Sequence, residues 1–100
     1  VKKKIPSKFK LGSCTWKVDW SDTLLKDHGC YGVTHYDTNT ILLQRPIRGK
    51  YKAQNVHQVF WHEFFHAAFL TLNHTKLSKN EVLVDQLGHM VAQLFDSQEL

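Results

Sequence analysis

At 100 residues the chain has room for one domain, residues 1–100. Its 42% hydrophobic and 12% aromatic content excludes wholesale disorder, and two cysteines are too few for a disulfide scaffold. The formal net charge of +4 conceals an asymmetry: residues 1–52 hold 11 Lys+Arg against 4 Asp+Glu, and residues 53–100 hold 2 against 5.

Five lysines fall within the first ten residues. That opens nucleic acid as a partner, but no aromatic-interleaved basic stripe follows, and a solvated basic segment is the preferred reading. The longest run without Asp, Glu, Lys or Arg, Phe64 to Thr75, is far short of the roughly 18 apolar residues of a membrane span. No apolar stretch follows Lys2, Lys3 and Lys4, so no signal peptide is expected. The expectation is a cytoplasmic protein without a membrane partner, with Cys14 and Cys30 as half-buried free thiols.

In chain order, Ile5, Phe9 and Leu11 alternate with polar residues, and Cys14, Trp16, Val18 and Trp20 do so at strict period 2. Both patterns predict half-buried strands, turning at Gly12-Ser13. Ser21 to Gly29 predicts a short helix or loop with Ser21-Asp22 as its N-cap and a glycine stop. Cys30–Tyr36 and Thr40–Gln44 predict a hairpin through Asp37 and Asn39, and Arg45–Lys52 a loop.

Near residue 53 the period changes. Asn55 with Gln58 has the form of a capping box. The helix it predicts is apolar around most of its circumference, from Val59 to Leu70, and is therefore expected to be buried. Asn73–Leu77 reads as a linker. Ser78 with Glu81 forms a second capping box, opening a helix whose apolar stripe is Leu83, Leu87, Met90, Val91 and Leu94.

Inside the first of these helices stands His62-Glu63-Phe64-Phe65-His66, an HExxH motif. At about 100° per residue, His62 and His66 project within about 40° of each other, one turn apart, and can share a metal. Zinc accepts neutral imidazoles, and a catalytic site uses three protein ligands and a water whose pKa the metal lowers to about 7. Glu63 beside it is placed to take the water's proton and pass it to the leaving amine. Two histidines and a glutamate without partners on so apolar a helix would cost several kcal/mol, which weighs against a purely structural role.

The third ligand must come from elsewhere. An HExxHxxGxxH protease needs Gly and His where this chain has Phe69 and Leu72. Glu81, Asp85, His74 and His89 remain, and Glu81, Asp85 and His89 share one face of the second helix. Glu81, opening that helix, suits the ligand position, although it could serve only the capping box. Asp85, one turn on, suits an outer hydrogen bond to a ligand histidine. His74 or His89 could steady the oxyanion.

With HExxH followed by Asn80-Glu81 and Asp85, the chain resembles the gluzincins, in which a glutamate and a supporting aspartate come from the next helix. The whole chain is similar to the small zincin-like metallopeptidases of bacteriophage and prophage genomes, related to the ImmA/IrrE and SprT-like groups. The resemblance covers a strand like Trp16–Trp20 and a hairpin like Tyr31–Leu43. It implies a strand bordering the cleft and pairing with extended substrate; by position this is Thr40–Gln44.

The sequence therefore predicts an α+β fold: a small N-terminal β-sheet packed with two C-terminal helices, a minimal zincin-like fold. The expected function is zinc-dependent peptide-bond hydrolysis, in the host cytoplasm if the chain is phage-encoded. Zn2+ is held by His62, His66 and Glu81, Glu63 is the general base, and a protein or peptide is the substrate. The rival readings are a zinc-stapled protein-binding module and a nucleic-acid-associated factor using the lysine-rich start.

Overall fold

The computed structural model describes residues 5–97. Lys2, Lys3 and Lys4, and with them most of the expected basic start, lie outside that range.

The period-2 segments form strands. β1 (Lys8–Leu11) and β2 (Cys14–Ser21) pair antiparallel with Phe9 opposite Trp16, joined at Gly12-Ser13. A short helix α1 (Leu24–His28) follows and ends on Gly29 in the left-handed conformation. Its N-cap is Thr23 rather than the expected Ser21-Asp22; the Ser21 hydroxyl instead accepts the Thr23 N–H in a local turn. β3 (Gly32–His35) and β4 (Thr40–Gln44) make the predicted antiparallel hairpin.

The order across the sheet is β1-β2-β4-β3, because β4 inserts beside β2 in parallel, with Val18 opposite Ile41 and Trp20 opposite Leu43. This corrects the expected edge. Thr40–Gln44 is an interior strand with both neighbours filled, and the strand with an unpaired side toward the helices is β3.

One face of the sheet carries Trp16, Val18, Ile41 and Leu43, which bury against Val56, Phe60 and Ala67 of α2 (Ala53–Thr71). Phe9 extends this layer, edge-on to Phe60 at 6.0 Å between ring centres. Helix α2 starts at Ala53 with Lys52 as N-cap, so the Asn55 capping box does not form. The apolar circumference of α2 has two neighbours to satisfy: the sheet, and α4 (Glu81–Ser97), where Trp61 stacks on Phe95 at 5.5 Å.

Between them the expected linker holds a turn of helix, α3 (Thr75–Ser78). The second capping box is also corrected. Ser78 ends α3, buried, and α4 is capped by Asn80, whose Oδ1 accepts the Leu83 N–H at 3.1 Å.

The face α4 turns to α2 centres on Val84, Gly88 and Ala92; of the expected stripe, Leu83, Leu87 and Val91 are half-buried, while Met90 and Leu94 are exposed. Small residues allow the closer approach. A Cβ on Gly88 would lie 2.9 Å from His62 N and 3.1 Å from His62 Cα, both main-chain atoms. Cys14 and Cys30 are free, with Cys14 exposed rather than half-buried. Among the described residues no helix is long and apolar enough to cross a membrane.

Candidate metal centre and cleft

The i, i+4 spacing brings the rings of His62 and His66 together as expected, with their Nε2 atoms 3.2 Å apart. Glu81, at the first position of α4, places Oε2 3.1 Å from His62 Nε2 and Oε1 3.2 Å from His66 Nε2. Three tetrahedral ligands with bonds of about 2.0–2.1 Å to a common ion stand roughly 3.3 Å apart, close to this triangle.

Both rings have an outer neighbour at Nδ1. His66 Nδ1 lies 2.6 Å from the Ser78 carbonyl oxygen, which can only accept, so Nδ1 carries the proton. His62 Nδ1 lies 3.4 Å from Asp85 Oδ1, so the aspartate stands beside the ring as expected but without the expected hydrogen bond. Nε2 of both rings faces the Glu81 carboxylate. Two imidazole nitrogens and a carboxylate converging on one point make an N2O donor set, which suits zinc. The donor group His62, Glu63 and His66, with ligand atoms all within 4.8 Å of one another, lies at the same place.

Glu63 is the buried member of this group at 8% exposure. Its Oε1 accepts the Thr34 hydroxyl at 2.8 Å, and its Oε2 lies 3.9 Å from His62 Nε2. The two carboxylates therefore occupy different settings: Glu81 is solvent-facing at 68% side-chain exposure, and Glu63 is enclosed under β3.

Ser78 ties the site to α3. Its hydroxyl donates to the His66 carbonyl oxygen at 3.0 Å, so the Tyr36 hydroxyl 3.3 Å away must be the donor to Ser78 Oγ. Burial pushes the Tyr36 phenol above its ordinary pKa of 10.0; its bond to Ser78 offsets part of this, and the negative charge of Glu63 and Glu81 adds to it. Tyr36 is thus held protonated at the cleft wall. The sequence signal was only its place in the hairpin turn, which carried no role by itself.

His62, Glu63, His66, Glu81 and Asp85 all line one open cleft of about 630 Å³, walled on the other side by Gly32, Val33, Thr34 and Tyr36. His74 and His89 do not line it. His74 sits in a separate shallow depression with Asn73 and Lys76, and His89 is exposed on α4. The lysines Lys8, Lys10 and Lys17 are also remote: Lys8 faces Lys17 across β1 and β2, alternating with Phe9 and Trp16, so they lie on the sheet face away from α2.

A HExxH helix laid on a small mixed sheet, with a carboxylate from α4 closing on its two histidines, defines a zincin-like protein. The sequence profile of the SprT-like family matches residues 3–92, and the chain belongs to that family. No curated protein and no solved structure matches it.

Proposed function

We propose that the protein is a zinc-dependent peptidase. The observation that carries this reading is the convergence of His62 Nε2, His66 Nε2 and the Glu81 carboxylate beside a buried, separately held Glu63. His62, His66 and Glu81 would hold the ion, which when bound supplies Lewis acidity and lowers the pKa of a coordinated water. Glu63 Oε2 receives the proton of the attacking water and returns it to the leaving amine. Tyr36, protonated and donating to Ser78 Oγ, forms part of the wall of the same cleft.

The open side of β3 offers main-chain groups to an extended peptide, which would add as a fifth strand and leave side-chain choice to the cleft wall. Two free thiols fit a reducing, cytoplasmic setting. A pure binding role does not account for Glu63, since ligation by His62, His66 and Glu81 leaves that carboxylate unused. The nucleic-acid reading gains no support from the cleft, which no lysine or arginine among the described residues lines.

The test is cleavage of a peptide library by wild type and Glu63→Gln at matched zinc content. The substitution should leave zinc stoichiometry and melting unchanged while lowering turnover about 100- to 10,000-fold. Equal turnover would remove Glu63 from the mechanism, and zinc-loaded wild type that cleaves nothing would leave the zinc-stapled binding module.

A further inference from the structure

A carboxylate that takes a proton has two oxygens, and in this site they are not equivalent. Gly32 and Thr34 lie two residues apart on the face of β3 that meets α2. Gly32 comes so close that a Cβ there would fall 2.6 Å from Val59 Cγ1 and 3.0 Å from Glu63 Cγ. The Thr34 hydroxyl then meets the far end of the same side chain, 2.8 Å from Glu63 Oε1 and 3.1 Å from the Glu63 main-chain oxygen. Both are acceptors, so the hydroxyl donates. Oε2 is left facing His62, at 3.9 Å from Nε2.

We infer that Thr34 is a positioning residue: it holds Glu63 Oε1 so that Oε2 is the oxygen that takes and returns the proton. This rests on the peptidase reading. In the first half-reaction a water O–H bond breaks and an Oε2–H bond forms. In the second, Oε2–H breaks and an N–H bond forms on the departing amine. Oε1 remains an acceptor throughout, so the Thr34 bond persists in both charge states of Glu63 and does not compete with proton transfer.

A glutamate has three side-chain torsions to restrain. Contact with Gly32 restrains the Cγ end, and the Thr34 bond restrains the carboxylate plane. Thr34 also belongs to the strand with the open edge. The element proposed to set the substrate's register thus also sets the base, and the two are aligned by one backbone.

Thr34→Val keeps the shape and removes the hydroxyl; Thr34→Ser keeps the hydroxyl and removes the methyl. In zinc-loaded protein, Thr34→Val should lower kcat about 10- to 100-fold with KM within about 2-fold of wild type, and Thr34→Ser should stay within about 3-fold in both. A second readout needs neither metal nor turnover. In the zinc-free full chain, the Glu63 side-chain carboxyl 13C resonance, assigned by its disappearance in Glu63→Gln, should move in Thr34→Val and stay in place in Thr34→Ser.

If Thr34→Val is poorly folded, Thr34→Ala replaces it with the same expectations. Thr34→Ser as impaired as Thr34→Val, or an unmoved carboxyl resonance in Thr34→Val, would overturn the inference. A wild type without peptidase activity would overturn the functional reading, and with it the catalytic meaning of Thr34. The carboxyl resonance would still decide separately whether the hydroxyl holds Oε1.

Discussion

Gly88→Ala sets two physical effects of opposite sign against each other. Alanine in a helix interior is favoured over glycine by about 1 kcal/mol, so on propensity alone the variant is more stable. The packing says otherwise. The new Cβ would sit 2.9 Å from His62 N, 3.1 Å from His62 Cα and 3.3 Å from the Trp61 carbonyl carbon, all main-chain atoms that cannot rotate aside. Restoring ordinary contact at about 3.5–4.0 Å requires α4 to retreat from α2 by roughly 0.5–1 Å. Overpacking of this kind costs about 1–3 kcal/mol, which equals or exceeds the propensity gain.

The retreat falls at the turn that carries His62, and Asp85 and Glu81 ride on the same helix. Ligand distances tolerate about 0.2 Å of error, and only part of the shift can be absorbed by the Glu81 side chain. Zinc affinity should therefore drop about 10- to 100-fold, the range for a disturbed outer shell, or about 1.4–2.7 kcal/mol. Chelator-competition titration gives the affinity, and urea melting of the zinc-free protein gives the stability. A variant that melts at higher urea and binds zinc like wild type would refute the claim that contact at Gly88 sets the distance between the two helices at the site.

Glu81→Gln should reduce zinc affinity by more than about 100-fold, beyond an outer-shell effect, yet leave zinc-free melting unchanged because Asn80 caps α4; wild-type zinc titration would exclude Glu81 as the third ligand. Ser78→Ala should show the reverse emphasis, losing about 1–3 kcal/mol in urea melts because the buried His66–Ser78–Tyr36 hydrogen bonds are broken; a neutral result would mean that α3 does not tether α2. Tyr51 has a buried hydroxyl without a hydrogen-bond partner among the described residues, and burial followed by the nearby Tyr31 pushes its pKa up to about 12. Removing that hydroxyl in Tyr51→Phe should stabilise the fold by about 1 kcal/mol at neutral pH. Wild type should also lose stability as pH rises from about 10 toward 12, where the unfolded chain ionises before the folded one, and Tyr51→Phe should show a smaller loss in melts across this range, with the contribution of Tyr36 remaining.

The parts of this fold legible in the sequence are those governed by local periodicity. Strict alternation from Cys14 to Trp20 gave β2, and the i, i+4 spacing of His62 and His66 requires one helical face whatever surrounds it. What required the structure was anything set by partners distant in sequence. Sheet order is one case: the zincin resemblance put Thr40–Gln44 at the cleft as an edge, but pairing with β2 encloses that strand and leaves Gly32–His35 at the edge. The contact face of α4 is another. Leucine and methionine advertise burial in a sequence, yet close approach to the His62 backbone selects Val84, Gly88 and Ala92. Ser78 matched a capping pattern three residues before Glu81, and only the fold shows its hydroxyl turned to His66 while Asn80 caps the helix.

These corrections bear on how a short motif becomes a site. HExxH by itself places three polar side chains on α2, with nothing to determine which imidazole nitrogen is free or which carboxylate oxygen is forward. The neighbours come from different elements: Ser78 of α3 hydrogen-bonds His66, Asp85 of α4 stands beside His62, and Thr34 of β3 hydrogen-bonds Glu63. The first two lie at Nδ1 and leave Nε2 toward Glu81; the third engages Oε1 and leaves Oε2 toward His62. All the unengaged atoms therefore face the same space, although their partners come from three separate elements. The segment after the motif is thus as much a part of the site as the motif. Residues 78 to 88 supply a tether, a carboxylate donor, an aspartate beside His62 and the glycine that brings them within reach, and a chain ending after α2 would keep HExxH without the geometry that gives it meaning.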